Sequence, residues 1–389
     1  DLYRERIERI ITTINLKEPD RVPVVPMIDL PGYWSRHVGM PAKEFMFDFE
    51  KSKYAIKKTL EDLQPDAHTG YFIPMTGQLL RSFNFVEKFM ALPEENEPPN
   101  YGIWQWGTTT EFVKADECDQ FIENPIGYLF DTLLPRVSRT FVKGEGNSSA
   151  PLIDLMGNAS STMYNVSRLW DELDQMGMPL FNTGIGAGPI EWGYLLRGPK
   201  GFITDIVRRP EKLMRLMDMG ISLDMLLGKL FKTLTGVPIS FIMMSYTIGE
   251  FLSVRHFEKL CWPGLKRLLE ESVDQNLIPW LYYEGDILNF KDYLIESPKG
   301  SCIIWAEMDI FKVKEALGNH ACIYGGVPYD LLTNGTPNKI EERVKAVCEG
   351  CKDGGGFFIG TEMPMERDVK PENLKAMIDA TKKYGVYRR

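Results

Sequence analysis

Three glutamates carry the first indication of chemistry. Glu284, Glu307 and Glu362 each finish a short apolar run, in Leu281-Tyr-Tyr-Glu-Gly-Asp286, Ile304-Trp-Ala-Glu307 and Phe358-Ile-Gly-Thr-Glu362. If these runs are strands of one half of a sheet, the three carboxylates converge. Carboxylates so gathered either bind a cation or repel one another enough to raise a pKa, which suits a general acid. The competing reading is that each accepts backbone N–H groups or pairs with Arg or Lys. Glu284 is the strongest of the three, preceded by Tyr282 and Tyr283 and followed by Gly285-Asp286. Two other runs also end on polar side chains, Pro26-Met-Ile-Asp29 and Met244-Ser-Tyr246-Thr247.

Other reactive residue types offer less. Of the four histidines, His256 falls inside a helical pattern, His37 in a polar loop and His320 ahead of an apolar run. His68 lies within a run and reads as a core histidine. Asp66-Ala-His-Thr-Gly superficially resembles the Asp-x-His-x-x-Gly signature of corrinoid-binding domains, but its glycine comes one residue early. Cys348-Glu-Gly-Cys351 sits at a helix C-terminus with no second ligand pair, so neither redox nor zinc chemistry is expected of it. No GxGxxG, P-loop or Gly-x-Ser-x-Gly occurs, which removes nicotinamide, ATP and serine-hydrolase readings.

The elements that must position the glutamates follow a strand, loop, helix rhythm. Eight apolar runs read as buried parallel strands: Val22–Asp29, Ala67–Ile73, Leu180–Ile185, Ile239–Tyr246, Pro279–Glu284, Cys302–Glu307, Ala321–Val327 and Gly356–Gly360. Amphipathic helices over His256–Gln275 and Pro371–Tyr384 fall among the later ones. The pattern predicts an α/β fold, a (β/α)8 TIM-type barrel, in which catalytic groups stand at the C-terminal ends of the strands. About a hundred residues separate the second and third runs, where a barrel unit takes roughly 30. This stretch, 75–178, is expected to form a cap over the mouth, with a hairpin at Tyr101-Gly-Ile-Trp-Gln-Trp-Gly107. Trp104 and Trp106 there could pack the cap or touch substrate. Residues 1–389 read as a single domain with that insertion.

Composition sets outer bounds. The 389 residues are 44% hydrophobic and 25% charged, ordinary for a globular chain. With 45 basic against 54 acidic residues the net charge is −9, which argues against a nucleic-acid partner. No apolar run approaches the roughly 18 residues that span a bilayer, and the N-terminus does not resemble a signal peptide. The six scattered cysteines read as reduced. A cytoplasmic enzyme without a membrane partner is the expectation, and a homodimer is compatible with it.

The order of segments resembles the uroporphyrinogen decarboxylase superfamily. The likeness is carried by Arg4-Glu-Arg-Ile with Glu18-Pro-Asp-Arg-Val-Pro23, by Leu196-Arg-Gly-Pro with Arg209-Pro-Glu-Lys-Leu, and by Glu250-Phe-Leu-Ser253 with Pro263. Gly325-Gly-Val-Pro328 and Gly355-Gly-Phe with Pro371-Glu-Asn-Leu-Lys-Ala-Met extend it to the C-terminus. The resemblance implies the same barrel. Its decarboxylases carry Arg-Gln-Ala-Gly-Arg after the first strand, where this chain has Met27-Ile-Asp-Leu-Pro-Gly-Tyr-Trp-Ser-Arg36. Its thiol methyltransferases hold zinc with His-x-Cys-Gly after the fifth strand and a late Cys after the eighth. Here Tyr282 stands in place of that His, Glu284 in place of the first Cys, and Glu362 at or beside the last. Hard carboxylates in place of soft thiolates suit an oxygen centre better than a thiol acceptor.

The resemblance therefore implies a corrinoid-dependent methyltransferase of the O-demethylase type, acting on a small methylated substrate such as an aromatic methyl ether. The corrinoid would be carried by a separate protein. Glu284, Glu307 and Glu362 are expected to ligate Zn2+ or, failing a metal, to supply the acid. Tyr282 and Asp286 would join Glu284 in the catalytic group. Asp29 and Tyr246 would orient the substrate, and Trp305 would form an aromatic wall. A decarboxylase of a smaller polycarboxylate, with Arg36 or Arg197 as the anion grip, and a non-catalytic ligand-binding barrel are the alternatives.

Overall fold

The computed structural model describes residues 2–28, 31–69, 77–85, 90–91, 103–104, 111–142, 149–364 and 368–387. Its centre is a parallel sheet of six consecutive strands, a separate antiparallel pair being Met90–Ala91 (β1) and Ile103–Trp104 (β2). The six are Gly184–Ala187 (β3), Ile239–Met243 (β4), Ile278–Tyr283 (β5), Ile303–Ala306 (β6), Cys322–Val327 (β7) and Phe357–Thr361 (β8), hydrogen-bonded in that order. Consecutive parallel neighbours joined by helices make an α/β fold. The last five strands begin and end within a few residues of the apolar runs that announce them, because strands buried on both faces need apolar side chains throughout.

The first two expected strands, Val22–Asp29 and Ala67–Ile73, do not form ladders among the described residues. Instead the extended segments 22–28 and 66–69 make isolated parallel bridges, Val24 to Ile359 and His68 to Leu180. In the first segment Pro23 and Pro26 limit pairing, since neither can donate to a ladder. Each bridge holds two bonds: Val25 N donates to Ile359 O (3.1 Å) and Ile359 N to Pro23 O (3.0 Å), and His68 N donates to Pro179 O (3.0 Å) and Phe181 N to His68 O (2.8 Å); Asp66 N donates to Val24 O (2.9 Å) between the two segments.

The period of two along each strand sorts the core into two layers. One face of the sheet carries Phe241, Trp280, Tyr282, Trp305, Tyr324 and Phe358, packed with Val25, Met27 and Phe181. The other face meets the helices through Leu281, Tyr283, Ile304, Ile323 and Ile359. Two residues beyond Tyr282 and Trp305, and four beyond Phe358, the same alternation reaches Glu284, Glu307 and Glu362.

The surrounding helices include Leu2–Ile14 (α1), Ala150–Gln175 (α2), Pro189–Arg208 (α3), Pro210–Thr235 (α4), Trp262–Asp274 (α5), Pro337–Cys351 (α6) and Pro371–Tyr384 (α7). α4 starts on a proline and stops where Gly236 adopts φ +77°, a left-handed turn that favours glycine. The helix expected over His256–Gln275 is α5 preceded by a π-turn at Phe257–Cys261. No helix among the described residues is long and apolar enough to cross a membrane.

Described parts of the long insertion are pinned to this frame. Val113 N donates to Leu196 O (2.8 Å), and the buried Arg197 guanidinium donates to Val113 O, Asp205 (2.6 Å) and Glu111 (3.3 Å). The expected hairpin strand does pair, Ile103–Trp104 with Met90–Ala91. The remainder of 101–107 and the side chains of Trp104 and Trp106 lie outside the described residues.

At the N-terminal end of the strands the opening segment builds an arginine–aspartate network. Asp66, fully buried, accepts from Arg9 (2.7 Å), from both terminal nitrogens of Arg21 (2.7 and 2.6 Å) and from Val24 N (2.8 Å). Arg9 also holds Asp20 through two bonds (2.7 and 2.6 Å), and Arg6 donates to Gly177 O (2.6 Å) and Gln64 (2.9 Å).

Candidate active site

The opposite, C-terminal end is built first by the turn that follows β4. Glu191, in the first turn of α3, reaches across and accepts from Tyr246 N (2.7 Å), Thr247 N (3.0 Å) and Thr247 Oγ1 (3.1 Å). It is 1% exposed, and no basic side chain is paired with it among the described residues. Burial pushes its carboxyl up to about 7 against the pull of those donors. The backbone must come close for this contact. A Cβ at Gly188 would lie 2.2 Å from Met244 Sδ and 2.5 Å from Glu191 Oε2.

The anchored turn presents two side chains to the rim. Ser245 donates to Glu284 Oε1 (2.7 Å). Tyr246 stacks on Tyr194 at 4.0 Å and 27°, and burial together with Tyr194 raises its phenol. Beside them, Asp286 receives Leu288 N on Oδ1 (2.7 Å), so one of its oxygens closes the turn after β5. Its own N–H donates to Glu250 (3.2 Å).

β5 and β6 run in register, with Tyr282 opposite Trp305. The Tyr282 ring packs on Trp305 at 4.2 Å, and its hydroxyl donates to Glu307 Oε1. Glu307 is half-buried. Burial raises its proton affinity, Tyr282 opposes that, and the charges of Glu284 and Glu362 raise it further. Glu362 follows β8. Its N–H donates to Val327 O (3.0 Å), its carbonyl accepts from Trp305 Nε1 (3.0 Å), and its carboxylate stands 3.8 Å from Arg343. Burial raises the Glu362 carboxyl as well, opposed by Arg343 and aided by Asp309. The Arg343 guanidinium is itself fixed by Gly326 O (2.8 Å).

The structure thus brings Glu284, Glu307 and Glu362 to one rim as electrostatic neighbours. It does not bring them together as a ligand shell. Each faces its own partner, Ser245, Tyr282 or Arg343, and among the described residues no three His, Cys, Asp or Glu side chains are grouped to hold a metal ion. Among the described residues the three carboxylates are not grouped as a metal centre, and no step below uses one. Trp305, expected as an aromatic wall, is fully buried and packs against the Tyr282 ring. Asp29 lies outside the described residues.

Sequence reasoning missed Glu191, Ser245, Tyr194 and Arg343. An acid in the first turn of a helix ordinarily signals a favourable charge at the helix N-terminus, and nothing in Gly188-Pro-Ile-Glu191 marks it as fully buried. The residues set aside behave as inert groups. His68 is buried with neither ring nitrogen hydrogen-bonded among the described residues, and burial lowers it to about 4. Cys348 and Cys351 are buried thiols raised to about 12 and about 11. Arg197, one of the two anion grips named with Arg36 for a decarboxylase reading, is bonded to Asp205, Glu111 and Val113 O.

Comparison with known proteins agrees with this architecture. A methyltransferase from Methanosarcina mazei superposes with a TM-score of 0.66 over 97% of this chain and 98% of that one, at 14% sequence identity. At that identity the likeness shows the fold. No curated protein matches the chain. Residues 147–384, more than half of the sequence, match the family described as Uroporphyrinogen decarboxylase (URO-D). The chain belongs to the uroporphyrinogen decarboxylase family.

Proposed function

We propose that the chain is a methyltransferase that takes a methyl group from a small methoxylated donor, an aromatic methyl ether, and passes it to the Co(I) of a corrinoid on a separate protein. The segments 22–28 and 66–69 serve in this reading as the first two strands of an eight-stranded barrel, and 75–178 as the cap over its mouth. The observation that carries it is Glu307. Its Oε1 takes the Tyr282 hydroxyl, and two neighbouring carboxylates raise its hold on a proton.

An aryl ether resists displacement because the departing phenolate is the base of an acid with a pKa of about 10. A bound corrinoid carrier would supply the nucleophile for the methyl carbon, and this chain's own residues would manage the departing oxygen. As the C–O bond breaks, its electron pair stays on oxygen, and Glu307 Oε2 delivers a proton there so that a neutral phenol leaves. The resulting Glu307 carboxylate keeps the Tyr282 hydrogen bond, which favours the charged form. Tyr282, on its Trp305 floor, fixes the acid in place. Glu284, held by Ser245, and Glu362 raise the proton affinity of the acid through their charge. Tyr246 and Asp286 flank the position of the aryl group. General acid catalysis of this kind contributes about 10²–10⁴-fold.

The test is a methyl-transfer assay with cob(I)alamin or carrier protein against methoxybenzenes, methylamines and betaines. Turnover restricted to O-methyl donors, unchanged by chelators, is expected. Turnover of a methylamine or betaine with no O-methyl donor accepted would overturn the substrate class, and release of CO2 from a polycarboxylate would replace the reaction.

A further inference from the structure

Glu191, buried in the first turn of α3, has no part in the proton transfer described above, yet it holds the turn on which the rim is built. Met244 N, at the start of that turn, donates to Tyr282 O (2.7 Å), and Gly249 N, beyond its end, donates to Asp286 O (2.7 Å). Between these two backbone ties, Tyr246 N donates to Glu191 Oε1 (2.7 Å). Thr247 N divides between the same oxygen (3.0 Å) and Met244 O (3.2 Å). The Thr247 hydroxyl lies 3.1 Å from each oxygen of the carboxyl. A single side chain from another element thus supplies the acceptor for three donors of a turn to which it does not belong.

The middle of that turn reaches the glutamates directly. Ser245, next to the two anchored N–H groups, donates to Glu284 Oε1 (2.7 Å), which favours the ionised form of Glu284 and fixes its direction. Glu307, raised first by burial, is raised further by the charge of Glu284. One path of contacts therefore runs from α3 through the turn to Glu284, and from there by its field to Glu307.

The surroundings of Glu191 suit an anchor. Asp224 of α4, Cys261 of the π-turn and Tyr283 of β5 are its titratable neighbours, and burial, with the Glu191 charge added, raises all three. A buried carboxyl among such acids keeps its proton up to about pH 7. In that form Oε1 accepts the two N–H groups and Oε2 can donate to Thr247 Oγ1. A glutamine offers the same acceptor and the same donor. A leucine fills the space and leaves both N–H groups without the carboxyl.

We propose that Glu191 is the positioning residue of the rim: by accepting from Tyr246 N and Thr247 N it aims Ser245 at Glu284 and so fixes the charge that Glu307 experiences. Its bearing on catalysis rests on the methyl-transfer reading, whereas the positioning itself needs no substrate.

Infrared titration of the Glu307 carboxyl in the full chain, without donor or carrier, tests this. E191L should lower the Glu307 midpoint by about half a pH unit with an unchanged circular dichroism spectrum. S245A should give the same shift, and E191L/S245A no more than either alone, because all three cut one path. E191Q should keep the wild-type midpoint, a rescue that a purely packing role would not require. Should E191L fail to fold, E191D, one methylene short of the turn, takes its place with the same expectation. A folded E191L or E191D with the wild-type midpoint, a double variant whose shifts add, or a shift in E191Q equal to that in E191L would each overturn the proposal. Midpoints that behave as described in a chain that transfers no methyl group would uphold the positioning role and sink the methyl-transfer reading instead.

Discussion

The two ends of the sheet treat carboxylates in opposite ways. At the N-terminal end Asp66 meets two arginines and a backbone N–H, and Asp20 meets Arg9 twice. At the C-terminal end Glu191 meets only backbone and hydroxyl donors, Glu307 meets one tyrosine and two like charges, and only Glu362 has an arginine, at 3.8 Å. A carboxylate matched by cations stays ionised and ties segments together. One left short of cations holds its proton and can give it away. On the proposed reading the first end is scaffold and the second is chemistry, although both are rich in acids.

Removing Asp66 should break this contrast most severely. Asp66→Ala leaves Arg9 and Arg21 buried without their shared partner, and a loss of about 3–5 kcal/mol of stability is expected, read by thermal or urea unfolding. Glu307→Gln should leave unfolding unchanged and lower methyl transfer by about 10²–10⁴-fold. A comparable loss of stability would place Glu307 with the scaffold.

Glu191 sharpens the contrast through pH. Its folded value of about 7 lies above that of an unfolded glutamate. The stability tied to its neutral form is therefore fully present below the unfolded value and lost as pH rises through about 7, about 3 kcal/mol in all. Glu191→Gln should flatten the stability profile over that window, measured as unfolding midpoints against pH. Tyr282→Phe should have the smallest effect, about tenfold in rate. Because the Tyr282 hydroxyl lowers the proton affinity of Glu307, its removal should move the alkaline fall in rate to higher pH.

Much of this was legible in the residues. The runs that became β4 to β8 and the helix Pro371–Tyr384 are written in apolar continuity and in a proline at the start. The convergence of Glu284, Glu307 and Glu362 follows from where those runs end. The first two expected strands appear, in their described residues, as extended segments joined to their neighbours by isolated parallel bridges. The opening motif of the family resemblance has a structural part, since its Arg6, Asp20 and Arg21 stand with Arg9 and Asp66 at the N-terminal end. What could not be read was burial without a partner. Glu191 and Trp305 owe their surroundings to the three-dimensional fold, as do the partners of the glutamates, Ser245, Tyr282 and Arg343.

The most direct measurement is a pH titration of the Glu307 carboxyl by infrared difference spectroscopy, with Glu307→Gln as the blank. A midpoint above the ordinary glutamate value, falling when Glu284 is changed to Gln, is the predicted result. A midpoint at or below that value, indifferent to Glu284, would contradict the acid role on which the proposed demethylation rests.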